Sequence, residues 1–391
     1  MWEKFKEKSL YHQIAIIAIE LAILYLIIVN IDRIFGGIGN FLSVISPFIM
    51  GAAIAYLLNR PASGIQLLLE RSQSGWVVKK AQKLSVFLVF LLLIGIISLV
   101  ISFAVPIVVD NLLDFGYNVT IYYNSFVDWV AAIDTNNFVY GLIPELSGNL
   151  LDFITPELVN QLGTGAVAFA EHIMNIVSGI VNIFLAIITA LYMLLSKENL
   201  MALVKRILKL FMRPVAYQNV ADYAHKSNKI FYKFVGAQFL DACVVGIAGT
   251  VILAFMGVPY AVTFGLMLGT FNMIPIFGSI FATLITVVVT IFTGGIPLAL
   301  MTFVALIILQ QVDANVIGPK ITGDALGLKP LLIIFAIIVG GHYFGIIGMF
   351  VAVPVAAMLK MFLEDFMDAR ERKLSKLKKS LDEKEGGKHG A

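Results

Sequence analysis

The sequence predicts an all-α integral membrane protein that crosses the bilayer several times. Hydrophobic residues make up 59% of its 391 residues, whereas charged residues make up only 14%. Soluble domains carry about 25% charged residues, so this composition excludes an ordinary soluble protein. Lipid offers the backbone no hydrogen bonds, and the apolar runs lack the alternation of barrel strands, so we expect them to be helices.

About eight apolar runs have the length of roughly 20 residues that a helix needs to cross a bilayer. The first run follows a basic N-terminus, contains Glu20 and lacks a cleavage site of small residues, which predicts an uncleaved anchor. The runs are residues 11–31, 41–58, 84–109, 173–195, 234–256, 260–291, 296–312 and 331–359.

Lysine and arginine are concentrated in four segments, and short loops rich in these residues stay in the cytoplasm. The segments are the N-terminus, the loop after residue 58, residues 196–233 and the tail after Lys360. Residues 110–165 hold acids but no lysine or arginine, which predicts an extracytoplasmic segment. We therefore expect a multi-pass protein of the cell (inner) membrane with both termini in the cytoplasm.

Two connecting segments and the tail have a character of their own. Residues 110–165 are too long for a plain loop and too acidic to span lipid, and their aromatic residues favour short amphipathic helices on the bilayer surface. Residues 200–211 alternate basic and apolar side chains, which predicts either an amphipathic helix at the inner surface or a solvated connector. The mixed charges of the tail predict a helix extension that frays.

These observations predict five parts. They are 1–109, with three transmembrane helices and a cytoplasmic amphipathic loop; 110–165, an extracytoplasmic segment; 166–233, a fourth transmembrane helix and a basic linker; 234–363, a C-terminal transport core; and 364–391, a charged cytoplasmic tail.

Two runs in the C-terminal half are too long for one simple crossing. Residues 260–291 contain Pro275, and residues 331–363 contain Pro354 and several glycines. The second run would be about 50 Å long as one straight helix. Proline leaves backbone carbonyls unpaired, which lipid does not tolerate. Both runs must bend, and the sequence leaves open whether they cross or re-enter as hairpins, and hence which side the linker 313–330 faces.

The two long runs share a short pattern. Residues 269–275 and 348–354 both read G-x-F-x-x-(I/V)-P, each after a Phe-Gly pair. One interpretation is a structural repeat of the kind that builds substrate sites in transporters from corresponding broken helices. The other is a pair of kinks that allow close helix packing.

Asp241 is the one charged side chain in residues 234–312. A carboxylate at the centre of a membrane helix costs about 2.5–3.5 kcal/mol, so we expect it to face a polar interior and to bind a proton or a cation. Gln238 lies on the same helical face. The alternative is a protonated acid that only bonds a neighbouring helix.

Further candidates for the path of a substrate or ion are polar or helix-breaking residues of the C-terminal half. With Gln238 and Asp241, they are Asn272, Pro275, Gln310, Gln311, Asp313, Asn315, Pro319, His342 and Pro354. P-loop, H-E-x-x-H and G-x-S-x-G motifs are absent, so we predict no ATP-driven transport by this chain alone, no enzyme, no cofactor and no metal. The single Cys243 excludes a disulfide within the chain.

The C-terminal half resembles the autoinducer-2 exporter (AI-2E) family. The resemblance is carried by GAQFLDA at 236–242, GVPYAVTFGLMLGTFNMIPIFGSI at 257–280, QQVDANVIGPKITGDALGLKP at 310–330 and GIIGMFVAVPVAA at 345–357. It implies an eight-segment secondary transporter. Some members are assigned to autoinducer-2 export and others to sodium or lithium/proton antiport.

We therefore predict a gradient-driven transporter that exports a small polar solute such as autoinducer-2. The alternatives are a monovalent cation/proton antiporter, in which Asp241 exchanges the ions, and a non-transporting membrane scaffold whose external segment binds a partner. The expected partners are membrane lipid and a small polar solute, or a monovalent cation and a proton. Nucleic acid is not expected, and the sequence permits a homo-oligomer without specifying one.

Overall fold

The computed structural model of the chain describes residues 25, 29–131, 155–178, 180–322 and 327–386. Over these residues the chain is helical and contains no strand, which confirms the all-α prediction. Five of the described helical stretches are long and apolar enough to cross a membrane. A sixth is added if Ile183–Leu195 and Lys197–Phe211, bent by 74° from each other, count as one span. Most of the predicted first run, including Glu20, lies outside the described residues.

The described helices are named in chain order. They are α1 Ile31–Glu70, α2 Gly75–Lys79, α3 Ala81–Leu99, α4 Val105–Ala131, α5 Pro156–Ser178, α6 Ile180–Leu195, α7 Lys197–Phe211, α8 Pro214–Phe255, α9 Ala261–Asn272, α10 Phe277–Val312, α11 Gly318–Thr322 and α12 Pro330–Gly386. A π-helical turn, Val100–Ala104, joins α3 to α4, and another, Asp313–Ile317, joins α10 to α11.

The helices group into two compact units. The first combines residues 1–96 with 178–204, and the second combines residues 97–177 with 205–391. In the first unit α1 packs against α6, where a Cβ on Gly51 would lie 2.7 Å from Thr189 Cβ, so only glycine permits this approach. The core of this unit is formed by Ala55, Ala62, Val86, Val89, Phe90, Ala190 and Leu194.

The core of the second unit includes α4, which was expected to be a set of short surface helices. That expectation is wrong for residues 110–131, because they belong to one 27-residue helix. Its Phe115 and Val119 are buried in a cluster with Leu253, Leu268 and Leu306 of α8, α9 and α10. The acids that suggested a surface location occupy the exposed face of the same helix; they are Asp110, Asp114 and Asp128. Residues 132–154 of the predicted external segment lie outside the described part.

The helical part of two other predictions is confirmed. Residues 200–211 lie within α7, whose exposed apolar side chains include Leu203, Ile207 and Leu210. The charged tail continues α12 as a helix to Gly386. The 42 residues of α8 would extend about 63 Å, so its lysine-bearing first half must lie beyond the roughly 30 Å hydrocarbon core.

Residues 260–291 fold back on themselves rather than forming one helix. Helix α9 ends at Asn272, and α10 begins at Phe277. A Cβ on Gly278 would lie only 1.6 Å from the Phe271 carbonyl oxygen, so the returning chain passes directly against the last turn of α9. The turn includes Ile276 at φ 71°, a left-handed conformation that a β-branched residue rarely adopts.

Helix α10 is itself a hairpin, bent at Gly295 with φ 79°. Its two arms, residues 277–294 and 296–312, lie side by side. Gln310 Nε2 on the second arm donates to the Ser279 carbonyl oxygen at 3.1 Å and to the Thr283 hydroxyl on the first. This bend brings the end of the second arm back beside the start of the first arm.

Helix α12 is a second hairpin, bent at Gly345 with φ 62°. Its arms are residues 330–344 and 346–386. A Cβ on Gly340 would lie 2.5 Å from the Gly348 carbonyl oxygen, which shows how closely the arms approach. Farther from the bend, Lys360 Nζ donates to the Gly327 carbonyl oxygen.

The suggested sequence repeat does not place its prolines at equivalent positions. Pro275 lies in the turn between α9 and α10, whereas Pro354 is buried within the second arm of α12. The bend of α12 falls at Gly345 instead, where glycine tolerates a backbone conformation that other residues avoid. The interpretation as a structural repeat is therefore wrong at the prolines.

Candidate ion site at the broken helix

Small residues bring α8 and α9 unusually close together. A Cβ on Gly269 would lie 2.6 Å from the Ala242 carbonyl oxygen, and one on Gly265 would overlap the Thr250 hydroxyl. Contacts of this kind are how helices associate tightly in membranes. The packing places Asp241 of α8 beside Asn272, the last residue of α9.

The break after Asn272 releases backbone groups that a continuing helix would pair. The Asn272 carbonyl has no intrahelical donor because α9 ends there. Gln238 Nε2, one turn before Asp241 on α8, donates to that carbonyl oxygen at 2.7 Å. Gln238, predicted only to share a helical face with Asp241, thus also caps the C-terminal end of α9.

Three side chains from three helical segments meet at the break. Asn272 Nδ2 donates to Asp241 Oδ2 at 2.9 Å. The half-buried Asp313 carboxyl, at the start of the π-helical turn after α10, lies close enough to Asp241 and Asn272 to interact with both side chains. Asp241 and Asn272 are each 8% exposed. We call Asp241, Asn272 and Asp313 the carboxyl site.

Two carboxyl oxygens of the carboxyl site are left without donors. Asp241 Oδ1 and Asp313 Oδ1 are buried and accept no hydrogen bond from the described residues. Buried polar atoms are nearly always paired, so each unpaired oxygen requires an explanation. Two ionised carboxylates this close would also repel each other strongly. A proton or a cation between the two carboxyl groups would offset this repulsion and give both oxygens a partner.

The π-helical turn is what aims Asp313 at this site. Such turns add a residue to one helical turn and occur frequently at functional positions. Gln310, one turn earlier, fixes the two arms of α10 through its bonds to Ser279 and Thr283. The carboxyl site therefore depends on the chain folding back twice, once after Asn272 and once at Gly295.

The other predicted path residues lie elsewhere in the second unit. Gln311 and Asn315 are exposed and bond each other along one helical face, with Asn315 Nδ2 3.1 Å from Gln311 Oε1. Pro319 is exposed on α11. His342 is exposed three residues before the bend of α12. The structure does not gather these residues with the carboxyl site, and a role for each in transport stays a prediction.

Comparisons with known proteins identify the family. The family model described as AI-2E family transporter matches residues 14–368, nearly the whole chain. The chain belongs to the AI-2E family. This membership makes it a membrane transporter, as the sequence motifs of the C-terminal half predicted.

Relatives of this AI-2E chain come from several bacteria. A candidate transport protein of Synechocystis sp. is 25% identical over 86% of this chain and 81% of its own length. The candidate transport protein YueF of Bacillus subtilis is 28% identical over 73% of this chain and 76% of its own length. The AI-2 transport protein TqsA of Escherichia coli is 26% identical over 55% of this chain and 59% of its own length.

The AI-2E chain has a second polar cluster that the sequence analysis missed. The Tyr260 hydroxyl donates to Asp114 Oδ2 of α4, and Tyr122 OH lies 3.0 Å from Tyr260 OH. Asn118 Nδ2 donates to Asp114 Oδ1 at 2.9 Å. This cluster anchors the N-terminal end of α9, and the left-handed φ of 60° at Tyr260 offered no signal in the sequence.

Proposed function

We propose that this chain is a gradient-driven exporter of a small solute, and that the carboxyl site binds its coupling ion. The observation that carries the proposal is the pair Asp241 and Asp313, held together with an unpaired oxygen on each. Ionisable residues at membrane depth usually mark ion pathways or proton relays. The free carbonyl end of α9 adds the negative end of a helix dipole, which further favours a cation.

The lengths of the helices support a site near the middle of the bilayer. Helix α9 has 12 residues and is about 18 Å long, roughly half the thickness of the hydrocarbon core. If the Asp114 and Tyr260 cluster lies at the extracytoplasmic surface, the carboxyl site lies near mid-depth. Helix α9 and the first arm of α10 then form a re-entrant hairpin. The second arm returns to mid-depth at Asp313, and the chain from Asp313 through α11 completes the crossing, so the rest of the linker 313–330 faces the cytoplasm.

Charge provides the coupling in this mechanism. An empty carboxyl site would hold two mutually repelling carboxylates in a poorly solvated position, so it is disfavoured. In an exporter driven by an inward ion gradient, the site therefore moves inward loaded with the ion, and it returns outward only when the solute is bound. The exported solute is proposed to be small and autoinducer-2-like, on the basis of the family and the name of the Escherichia coli relative.

A second candidate function is monovalent cation/proton antiport. It is favoured by the same two oxygens, because a sodium or lithium ion and a proton would compete for one site. In this case Asp241 and Asp313 exchange the two ions and no organic solute is moved. Oxygen atoms are the ligands that such hard cations prefer.

The two functions are separated by flux through purified protein in proteoliposomes with an imposed pH gradient. Cation-dependent collapse of the gradient supports antiport, whereas solute-dependent collapse without a cation requirement supports export. Flux must disappear in Asp241→Asn and persist in Asp222→Asn, which makes the same change at an exposed position of α8. Absence of both fluxes in the wild-type protein would overturn the proposal and favour the alternative of a non-transporting membrane scaffold.

A further inference from the structure

A cavity lies beside α9 in the second unit. Its volume is about 360 Å³, it is partly open, and it is lined by residues of α4, α5, α9 and the first arm of α10. Binding pockets for small molecules are typically about 300–1,000 Å³ and mainly apolar, with a few polar groups that fix orientation. The cavity has this size, and its wall has this composition.

The polar side chains of the cavity wall are associated with the N-terminal end of α9. Tyr260 precedes the first turn of α9, and Thr263 lies in it. Asn111 Nδ2 of α4 donates to Thr263 Oγ1 at 2.7 Å. Gln161 of α5 adds a further amide to the wall. This end therefore offers hydrogen bonds to a hydroxyl or carbonyl group.

The rest of the wall is apolar and leads toward the carboxyl site. Met267 and Phe271 of α9 continue the wall, with Ile285 and Val289 of α10 opposite them. Phe271 directly precedes Asn272, so the cavity follows α9 from its polar end to the break. A strongly polar solute would lose its hydration here without gaining enough hydrogen-bond partners, which is costly. A largely apolar solute would not pay this cost.

We propose that this cavity binds the transported solute, and that the solute has a largely apolar body with one hydroxyl or carbonyl end. The inference rests on the proposed exporter function, and it replaces the small polar, autoinducer-2-like solute suggested by the family with a more apolar one. The polar end of the solute lies near Tyr260 and Thr263, and its apolar body lies against Met267 and Phe271. The solute and the coupling ion then occupy adjacent sites along one helix.

The probe for this proposal is 4-hydroxybenzophenone, a photoreactive molecule with an apolar body and one hydroxyl. The full chain is labelled in lipid nanodiscs, and the labelled peptides are mapped by mass spectrometry. We expect saturable labelling of α4, α5 and α9, and at least a tenfold loss in Ala166→Trp, because Ala166 lines the cavity. Ala168→Trp places the same ring on the exposed face of the same helix and must label like the wild type.

Two further measurements keep the result interpretable. Ala166→Leu fills less of the cavity, so a folded protein with intermediate labelling supports the proposal even if the tryptophan variant misfolds. Benzophenone keeps the ketone but lacks the hydroxyl, so it is expected to label the wild type less than 4-hydroxybenzophenone does. In Thr263→Val the two probes are expected to label equally. Unsaturable labelling spread over lipid-facing helices, unchanged in both Ala166 variants, means partition into lipid only and overturns the proposal.

The labelling is measured without transport, so the two proposals fail separately. Loss of flux in the wild-type protein with labelling intact would overturn the proposed function and leave a binding site. Solute flux that persists unchanged in Ala166→Trp and Ala166→Leu would overturn the cavity as the solute site and leave the exporter.

Discussion

The turn between α9 and α10 and the bend of α12 both reverse the chain through a backbone of positive φ, but they differ in what they place there. The first gathers Asp241, Asn272 and Asp313. The second exposes mainly large hydrophobic side chains next to Gly345; Tyr343, Phe344, Ile346 and Ile347 are 72–77% exposed. A cavity of about 490 Å³ between its arms is lined entirely by apolar residues and glycine. A broken helix in a membrane protein is therefore not a functional site by itself.

The turn between α9 and α10 nevertheless packs against the arms of the α12 hairpin. Phe234 of α8 is buried with Ile337 and Val353 of the α12 hairpin, and Ile274 and Phe277 of the first turn pack against them. The α12 hairpin thus covers the apolar side of the turn whose polar side holds the carboxyl site. We infer that the turn between α9 and α10 holds the ion-binding residues and that the α12 hairpin stabilises this turn by packing against it.

The largest expected effect is at the carboxyl pair. Asp313→Asn should reduce coupled flux to the level of protein-free liposomes, because one carboxylate no longer needs a cation to offset a second. The double variant with Asp241→Asn should be no worse than either single variant, since the two groups act as one unit. Tyr343→Phe, beside the bend of α12, is the comparison and should leave flux unchanged. Additive partial losses would contradict a shared ion.

The second effect concerns the stability of the two reversals. Gly278→Ala should destabilise the protein strongly, because its Cβ would overlap the Phe271 carbonyl oxygen at 1.6 Å and this backbone cannot move without opening the turn. Gly345→Ala should cost about 1–3 kcal/mol, the usual penalty for a backbone region open mainly to glycine. Thermal unfolding in detergent measures both. Gly236→Ala, a helical position with no atom within 4 Å of the added Cβ, is the control and should be neutral or stabilising.

Apolar runs, basic loops and Asp241 were readable from the sequence because each depends on local composition. The partner of Asp241 was not, although Asp313 was among the candidates. Their contact depends on the reversals after Asn272 and at Gly295, and no local pattern distinguishes a hairpin from a crossing. Pro354 illustrates the opposite case. Its sequence suggested a break in the helix, but a proline within a packed membrane helix can be accommodated by its neighbours.

The third effect is expected at the cap on α9. Gln238→Leu leaves the Asn272 carbonyl unpaired, which costs about 1–3 kcal/mol for a buried acceptor. Part of that cost should appear as weaker binding of the coupling cation, up to roughly tenfold for each 1.4 kcal/mol. The cation dependence of flux measures it. Gln218→Leu makes the same change at an exposed glutamine of the same helix and should leave that dependence unaltered.

The smallest effect is expected at the contact that ties α12 to α8 near their polar ends. Lys226 Nζ lies 2.6 Å from Asp365 Oδ2, but the two side chains are 49% and 35% exposed. Solvent and salt screen such a pair, so Lys226→Met should lower the unfolding temperature only slightly, and less at high ionic strength. A double-mutant cycle with Asp365→Asn isolates the pair. A large coupling energy that survives high salt would show that this ion pair, and not the Phe234 cluster, holds the α12 hairpin in place. It would contradict the proposed role of α12 as an apolar packing support.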